Sequence, residues 1–204
     1  MNVYVMRHGE TDWNIVKKIQ GSTDIPLNHK GIEEAERTSE ALNKEGIKFD
    51  YVFSSPLKRA YKTALIMAKY SNCTVEQDER LVEFNFGEGE GKTLEELKKD
   101  PKYANIVYWF TDSSKYTAEY GSESYKSITS RLDSFIKEKI IPLEGRADNV
   151  LICVHGGVIR SLISYIKKAG QSYMTEVKIP NCGVNLLTLK NGIFNVEYIG
   201  KTYC

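Results

Sequence analysis

Short apolar runs of β-type composition alternate along this chain with longer segments of helical periodicity. The clearest run, residues 150–154, is apolar at every position and is followed by a helix-like segment that ends near Lys168. A strand that is apolar on both faces is typical of a parallel sheet covered by helices. We therefore predict an α/β fold, a three-layer α/β/α sandwich in which residues 1–204 form one domain with a buried core.

The boundaries of the predicted elements follow from apolar periodicity and from residues that start or stop helices. We predict strands at 2–6, 51–53, 74–76 and 150–154, and helices at 30–45, 57–70, 93–99, 123–141 and from 157 to about 168. A hairpin of 183–189 and 193–199 follows, because Asn191-Gly192 supplies the positive φ angles that a tight turn needs. The sheet should thus be mostly parallel with at least one antiparallel edge strand, and residues from about 93 to 125 should form a helical, aromatic cap.

The composition argues against several classes of protein. Lys plus Arg number 28 and Asp plus Glu number 27, and a net charge of +1 is unlike that of a dedicated nucleic-acid binder. Every apolar run is far shorter than the roughly 20 residues of a membrane helix, and no signal-peptide pattern is visible. The four cysteines are scattered, so we expect reduced thiols and a cytoplasmic protein. Together with the charge and the short apolar runs, this predicts a protein that binds neither nucleic acid nor membrane.

Charged side chains follow the predicted strands directly. Arg7 and His8 come after the first strand, His155 follows the strand at 150–154, and Arg59 lies one turn into the helix after the second strand. Because the carboxyl ends of parallel strands lie at one edge of a sheet, where ligands bind, we expect these side chains to converge. Guanidinium groups donate paired hydrogen bonds to phosphate, and helix N-termini add further N–H donors, so the sequence predicts an anion site.

A histidine beside arginines has a defined chemistry. The neighbouring positive charge disfavours the imidazolium, so His8 should be neutral and able to attack phosphorus. Arg7, Arg59 and His155 would then stabilise the transferring phosphoryl group without a metal ion. The chain has three histidines and no clustered carboxylates at metal-ligand spacing, so we predict no metal site and no cofactor. The third histidine, His29, is predicted to lie on the surface.

Five ordered sequence blocks resemble the histidine phosphatase superfamily, in the branch of cofactor-dependent phosphoglycerate mutases and their phosphatase relatives. The blocks span most of the chain and lie at 6–14, 20–27, 53–60, 81–87 and 154–157. The first contains Arg7-His8-Gly9, and the last contains His155-Gly156-Gly157. The resemblance implies the α/β fold predicted above and a reaction that passes through a phosphohistidine.

The resemblance also implies roles for individual residues. His8 matches the nucleophile, Glu83 matches the proton donor, and Arg7, Arg59 and His155 match the clamp on the phosphoryl group. A carboxyl group beside a bound phosphate dianion favours its protonated form, which suits Glu83 to that role. A second set matches substrate contacts: Asn14, Gln20, Gly21, Gly156 and Gly157. Three nearby carboxylates remain alternatives to Glu83, namely Glu10, Glu88 and Glu90.

One segment bears on the choice between hydrolysis and mutase chemistry. Residues 84–91 contain acids and no arginine, whereas the mutases that the chain resembles carry a basic stretch there. We therefore predict a histidine acid-type phosphatase that acts on a small-molecule phosphate ester. The alternatives are a phosphoglycerate mutase and a phosphoester-binding protein without turnover.

The predicted cap bears on the substrate. Gly89 stands where the phosphatase relatives usually have tryptophan, which leaves open what covers the site. Residues 101–124 hold six aromatic side chains but only two cations, Lys102 and Lys115. This composition favours an organic or aromatic alcohol as the leaving group.

Overall fold

The computed structural model describes residues 1–203, and its centre is a six-stranded sheet. The strands are β1 (Asn2–Arg7), β2 (Tyr51–Ser54), β3 (Val75–Gln77), β4 (Asn149–Val154), β5 (Val184–Lys190) and β6 (Ile193–Lys201). They lie in the order β3-β2-β4-β1-β5-β6. The pairings from β3 to β1 are parallel, and those that add β5 and β6 are antiparallel, which confirms a mostly parallel sheet with an antiparallel edge.

The helices of residues 1–203 lie between these strands along the chain. They are α1 (Asp12–Ile15), α2 (His29–Lys44), α3 (Lys58–Met67), α4 (Leu94–Lys98), α5 (Ala104–Thr111), α6 (Tyr125–Phe135) and α7 (Gly156–Lys167). Two predicted helices end in other helical geometry, α3 in a 3₁₀ turn at Ala68–Tyr70 and α6 in a π-helix at Ile136–Ile140. α4 and α5 supply the helices of the predicted cap. None of the helices in this part of the chain is long and apolar enough to cross a membrane.

Both faces of the sheet are buried, and alternate residues of the central strands enter different apolar clusters. In β1, Val3 and Val5 join the cluster that contains residues of α6 and α7, whereas Tyr4 and Met6 join residues of α2 and α3. β4 divides in the same way, which explains why residues 150–154 are apolar at every position. Helices therefore cover both faces, as a three-layer sandwich requires.

The register of the parallel strands brings their carboxyl ends to one edge of the sheet. Arg7, the last residue of β1, lies opposite Val154, the last residue of β4. Ser54, at the end of β2, lies opposite Cys153. The residues that follow these three strands therefore leave the sheet side by side, at the edge where α/β sheets bind ligands.

Candidate active site

A cavity of about 280 Å³ opens at the carboxyl edge of the sheet. Nine of the predicted site residues line it: Arg7, His8, Asn14, Gln20, Gly21, Arg59, Glu83, Gly156 and Gly157. The remaining one, His155, is fully buried behind the wall. The third histidine, His29, has a well-exposed side chain on α2 beside Glu33 and lies away from this wall.

His8 borders the cavity as a neutral imidazole. The residue is only 3% exposed, and its Nδ1 lies 2.7 Å from the carbonyl oxygen of Gly9. Because a carbonyl oxygen only accepts, Nδ1 carries the hydrogen and the lone pair is on Nε2. Burial and, after it, the charges of Arg59 and Arg7 hold the pKa of His8 well below its ordinary value of 6.5. At neutral pH, Nε2 can therefore act as a nucleophile.

Arg59 is fixed in the wall by one side chain and two carbonyl groups. The residue is fully buried, and its Nη1 and Nη2 donate to the carbonyl oxygens of Thr23 and Gly21, each at 2.7 Å. Its Nε donates to Nδ1 of His155 at 3.2 Å. Burial lowers the pKa of Arg59 to about 10, so the guanidinium stays charged at neutral pH. A charge that is already held in place can stabilise an anion without further ordering.

Glu90 braces the loop that supplies these carbonyl groups. Its carboxylate accepts hydrogen bonds from the backbone amides of Ser22 and Thr23, at 2.9 and 3.0 Å. Gly21 has a φ of 51°, which favours glycine, and a Cβ there would lie 2.0 Å from Oε1 of Glu90, so any side chain at this position would displace the carboxylate. The carboxylate of Glu90 is therefore occupied in holding the loop.

Two further alternatives to Glu83 lie outside the cavity wall. Glu10 forms a salt bridge with Lys30 at 2.9 Å, and the exposed Glu88 pairs with Lys102. Of the carboxylates considered from the sequence, only Glu83 borders the cavity. Among residues 1–203, no three His, Cys, Asp or Glu side chains form a group that could hold a metal ion.

Glu83 is held by the N-terminus of α7. Its Oε1 accepts from the amides of Phe84 and Val158 at 2.9 and 3.1 Å, and its Oε2 accepts from the amide of Gly157 at 3.0 Å. The first amides of a helix have no partner within the helix, so a carboxylate suits them. A Cβ on Gly157 would lie 2.6 Å from Oε1 of Glu83. The missing side chain at position 157 is therefore what lets Glu83 approach the helix.

His155 lies behind the cavity wall, with its ring centroid 5.2 Å from that of His8. Its Nδ1 accepts from Arg59, so Nε2 carries the hydrogen and donates to Oγ of Ser55 at 2.8 Å. In this arrangement His155 orients Arg59, and its direct contact with a phosphoryl group stays a prediction. The sequence places Ser55 after β2 at the same edge of the sheet, but no role was predicted for it.

Two amide side chains complete the polar wall. Oδ1 of Asn14 accepts from the amide and the hydroxyl of Thr11, each at 3.0 Å, and from Nδ2 of Asn181 at 3.3 Å. These three bonds leave the Nδ2 hydrogens of Asn14 for a ligand. Gln20 is 8% exposed, and its buried Oε1 has no hydrogen-bond partner within residues 1–203. A buried acceptor of this kind is stabilised when a ligand or water supplies a donor.

Comparison with known proteins decides the family. Residues 3–202 match the family model of the histidine phosphatase superfamily, branch 1. The chain belongs to this superfamily. The match covers all the residues placed around the cavity above.

Relatives of this chain include both phosphatases and mutase-like proteins. Phosphoglycerate mutase-like protein 4 of Arabidopsis thaliana is 35% identical, over 93% of this chain and 80% of its own length. The uncharacterized phosphatase PhoE of Bacillus subtilis is 34% identical, over 88% of this chain and 83% of its own length. A phosphoserine phosphatase of Entamoeba histolytica, solved with 3-phosphoglyceric acid, has a TM-score of 0.82 at 27% identity and covers 98% of this chain and 97% of its own. These relatives support a phosphoryl-transfer enzyme.

Helix α5 covers the site beside Gly89, the position where the resemblance led us to expect tryptophan. A Cβ on Gly89 would lie 2.8 Å from Cδ1 of Ile106, so a larger side chain would have to displace Ile106. Trp109 stacks on Phe84 with ring centroids 3.8 Å apart, and both Trp109 and Phe110 line the cavity. The aromatic cover therefore comes from the cap.

The cations that line the cavity come from outside the cap. Lys102 and Lys115 pair with Glu88 and Asp112, and neither lysine borders the cavity. Three cations that the sequence analysis missed do line it, namely Arg160, Lys17 and Lys18. Arg160 follows Gly156 by four residues in α7, so helical spacing was the signal that could have found it. The scarcity of cations in the cap therefore does not describe the charge of the cavity.

Proposed function

We propose that this protein is a cytoplasmic phosphomonoesterase that hydrolyses a small phosphate ester through a phosphohistidine on Nε2 of His8. The observation that carries the proposal is the neutral His8 in the cavity wall, whose Nδ1 donates to Gly9 and whose Nε2 keeps its lone pair. Arg7 and Arg59 border the same cavity, where they would bind phosphoryl oxygens. A volume of about 280 Å³ suits a small ester.

In the first step, Nε2 of His8 attacks phosphorus, a P–N bond forms and the ester P–O bond breaks. Glu83 gives a proton to the leaving alkoxide, so an alcohol departs. The negative charge of the bound phosphate favours the protonated carboxyl group, whereas the three amides that hold Glu83 favour the carboxylate that it becomes. In the second step, water attacks phosphorus and gives a proton to the Glu83 carboxylate, and the P–N bond breaks to release inorganic phosphate. Arg7 and Arg59 stabilise the charge of the phosphoryl group in both steps, which is why the scheme requires no metal ion.

Two further observations support hydrolysis of a small ester. The phosphoserine phosphatase relative was solved with 3-phosphoglyceric acid, a small phosphate ester. Residues 84–91 of this chain carry no arginine, unlike the basic stretch of the mutases that the chain resembles.

Phosphate release from p-nitrophenyl phosphate in excess EDTA tests the proposal. The wild type should turn over, and His8→Ala should lose several orders of magnitude in kcat because no other group replaces the nucleophile. Wild type quenched at alkaline pH, where the P–N bond of phosphohistidine survives, should carry one phosphoryl group on the peptide that contains His8. His29→Ala is the matched control, since the side chain of His29 is exposed beside Glu33 on α2.

Three results would overturn the proposal. Full activity of His8→Ala would exclude His8 as the nucleophile. Loss of activity in EDTA would point to a bound metal. Exchange between 2- and 3-phosphoglycerate that is faster than phosphate release would identify a mutase instead.

A further inference from the structure

Arg160 is an anchored and unpaired cation in the cavity wall. Its Nε donates to the carbonyl oxygen of Val177 at 2.8 Å, and neither of its Nη groups has an acceptor within residues 1–203. The arginines that form salt bridges in this part of the chain do not border the cavity, and they are Arg37, Arg80 and Arg131. A guanidinium that is fixed on one side and unpaired on the other is suited to bind an anion.

The segment that anchors Arg160 also anchors Arg7. Nη1 of Arg7 donates to the carbonyl oxygen of Ile179 at 2.7 Å, and its Nε is buried without a partner. A Cβ on Gly156 would lie 3.7 Å from Nε of Arg7 and 3.9 Å from Nη1 of Arg160. The two guanidinium groups therefore face one space, which the missing side chain of Gly156 keeps open.

The positive charge of the wall exceeds what one phosphate group needs. Glu83 is the one carboxylate among the lining residues, against five cationic side chains, namely Arg7, Arg59, Arg160, Lys17 and Lys18. A phosphate monoester brings about two negative charges at neutral pH. A substrate with a single phosphate group would leave a net charge of about +2 in the wall. Water can solvate the exposed Lys17, whereas Arg160 is anchored in the wall with its Nη groups unpaired.

We propose that Arg160, with Lys17 and Lys18, forms a second-anion subsite, and that the substrate is a phosphate ester with a second anionic group, a carboxylate or another phosphate. This inference rests on the proposed function, because His8 defines which phosphate is cleaved. The unpartnered Oε1 of Gln20 adds an acceptor for a hydroxyl or ammonium group of the same molecule. Under this proposal the leaving group carries an anionic group, in contrast to the aromatic alcohol that the composition of the cap favours.

Three esters on one carbon skeleton test the subsite. Glycerol 3-phosphate has no second anion, 3-phosphoglycerate has a carboxylate, and glycerol 1,3-bisphosphate has a second phosphate. We expect the wild type to prefer at least one doubly anionic ester over glycerol 3-phosphate by roughly 10- to 100-fold in kcat/KM, the effect of hydrogen bonds to a charged partner. The better of the two identifies the second group.

Substitution of Arg160 assigns the preference to this residue. Arg160→Met keeps the aliphatic stem and removes the charge, so the ratio of kcat/KM between the doubly and singly anionic esters should fall to within about 3-fold of unity, mainly through KM. Arg160→Lys should keep part of the preference because it keeps the charge but not the planar fork. Lys167→Met, on the exposed end of the same helix, should leave the ratio unchanged.

Calorimetric titration of the same esters separates the subsite from the proposed reaction. Equal turnover of all three esters by the wild type, or a full preference in Arg160→Met, would overturn the subsite and leave the proposed function standing. If no ester released phosphate while a doubly anionic ester still bound more tightly through Arg160, the proposed function would fail and the subsite would stand.

Discussion

The contact between Glu83 and α7 depends on the absence of a side chain at position 157. In Gly157→Ala, the new Cβ would lie 2.6 Å from Oε1 of Glu83 and 3.3 Å from Cβ of Phe84. Ordinary van der Waals contact begins near 3.4 Å, so the carboxylate must retreat by about 0.8 Å, the difference between 3.4 and 2.6 Å. The retreat moves the proposed proton donor without removing any ionisable group from the site.

This displacement has a calculable effect on rate and little effect on stability. A misplacement of about 1 Å costs roughly 100-fold in rate, so kcat/KM for an alkyl phosphate should fall about 100-fold. p-Nitrophenyl phosphate should lose less than about 10-fold, because nitrophenolate leaves without a proton. The helix gains roughly 1 kcal/mol from alanine and loses a similar amount of capping, so the free energy of unfolding should change by less than about 1 kcal/mol.

The assay compares kcat/KM for p-nitrophenyl phosphate and glycerol 3-phosphate, since this parameter reports only steps up to loss of the alcohol. Gly156→Ala is the matched comparison, because its Cβ meets nothing closer than 3.7 Å and leaves Glu83 in place. Any weaker phosphate binding in Gly156→Ala should lower both substrates alike. A folded Gly157→Ala enzyme with the wild-type ratio of the two substrates would refute Glu83 as the proton donor.

Three further predictions concern the groups around the nucleophile. Ser55→Ala removes the hydrogen-bond acceptor of His155, so it should lower kcat about 10-fold and change the ¹⁵N spectrum of that ring. The hydroxyl of Ser54 donates only to a backbone carbonyl, so Ser54→Ala should change neither kcat nor the spectrum. The pKa values of His8 and His155 lie well below 6.5, chiefly through burial, so the unfolded chain alone takes up these protons below pH 6.5. Their stabilisation is complete above pH 6.5 and declines below it. Urea titrations should show the free energy of unfolding falling by up to about 3 kcal/mol from pH 6.5 to 5, the limit for two imidazoles that stay neutral in the folded protein, and His8→Asn should roughly halve this fall. Gly21→Ala should lower the free energy of unfolding by at least about 2 kcal/mol in thermal unfolding, because a Cβ at φ 51° is strained and would also displace the carboxylate of Glu90. A smaller loss would contradict the conclusion that Glu90 holds this loop in place.

The sheet and its reactive edge were predictable because burial on both faces leaves a plain signature in the sequence. β4 is apolar at every position since its two faces enter different clusters, and that pattern indicates a covered parallel strand. Once β1, β2 and β4 are parallel neighbours, the residues after them must share an edge. The convergence of Arg7, His8 and Arg59 on one cavity follows from topology alone.

The division of labour among similar residues was not predictable, because it depends on contacts between segments without a shared pattern. Glu83 and Glu90 both accept backbone amides, but one meets the first turn of α7 and the other meets the loop at 22–23. The orientation of His155 depends on Ser55 from another strand end. The spacing from Gly156 could have placed Arg160 near the wall, but the orientation of its guanidinium depends on the carbonyl of Val177, in a stretch with little periodicity.

The first turn of α7 also limits how far apart the two anions of a substrate can be. The amides at 157 and 158 hold Glu83, and Arg160 lies one turn further along the same helix, with a side chain expected to lean back toward the N-terminus. One turn rises about 5.4 Å, so the leaving oxygen at Glu83 and the second anion at Arg160 must be a few bonds apart. A phosphate ester with its carboxylate six carbons from the ester oxygen should therefore show a kcat/KM near that of a simple alkyl phosphate, although both charges remain. Equal kcat/KM for this long ester and 3-phosphoglycerate would mean that the second charge acts through long-range electrostatic attraction to the cavity, and not through direct binding to Arg160.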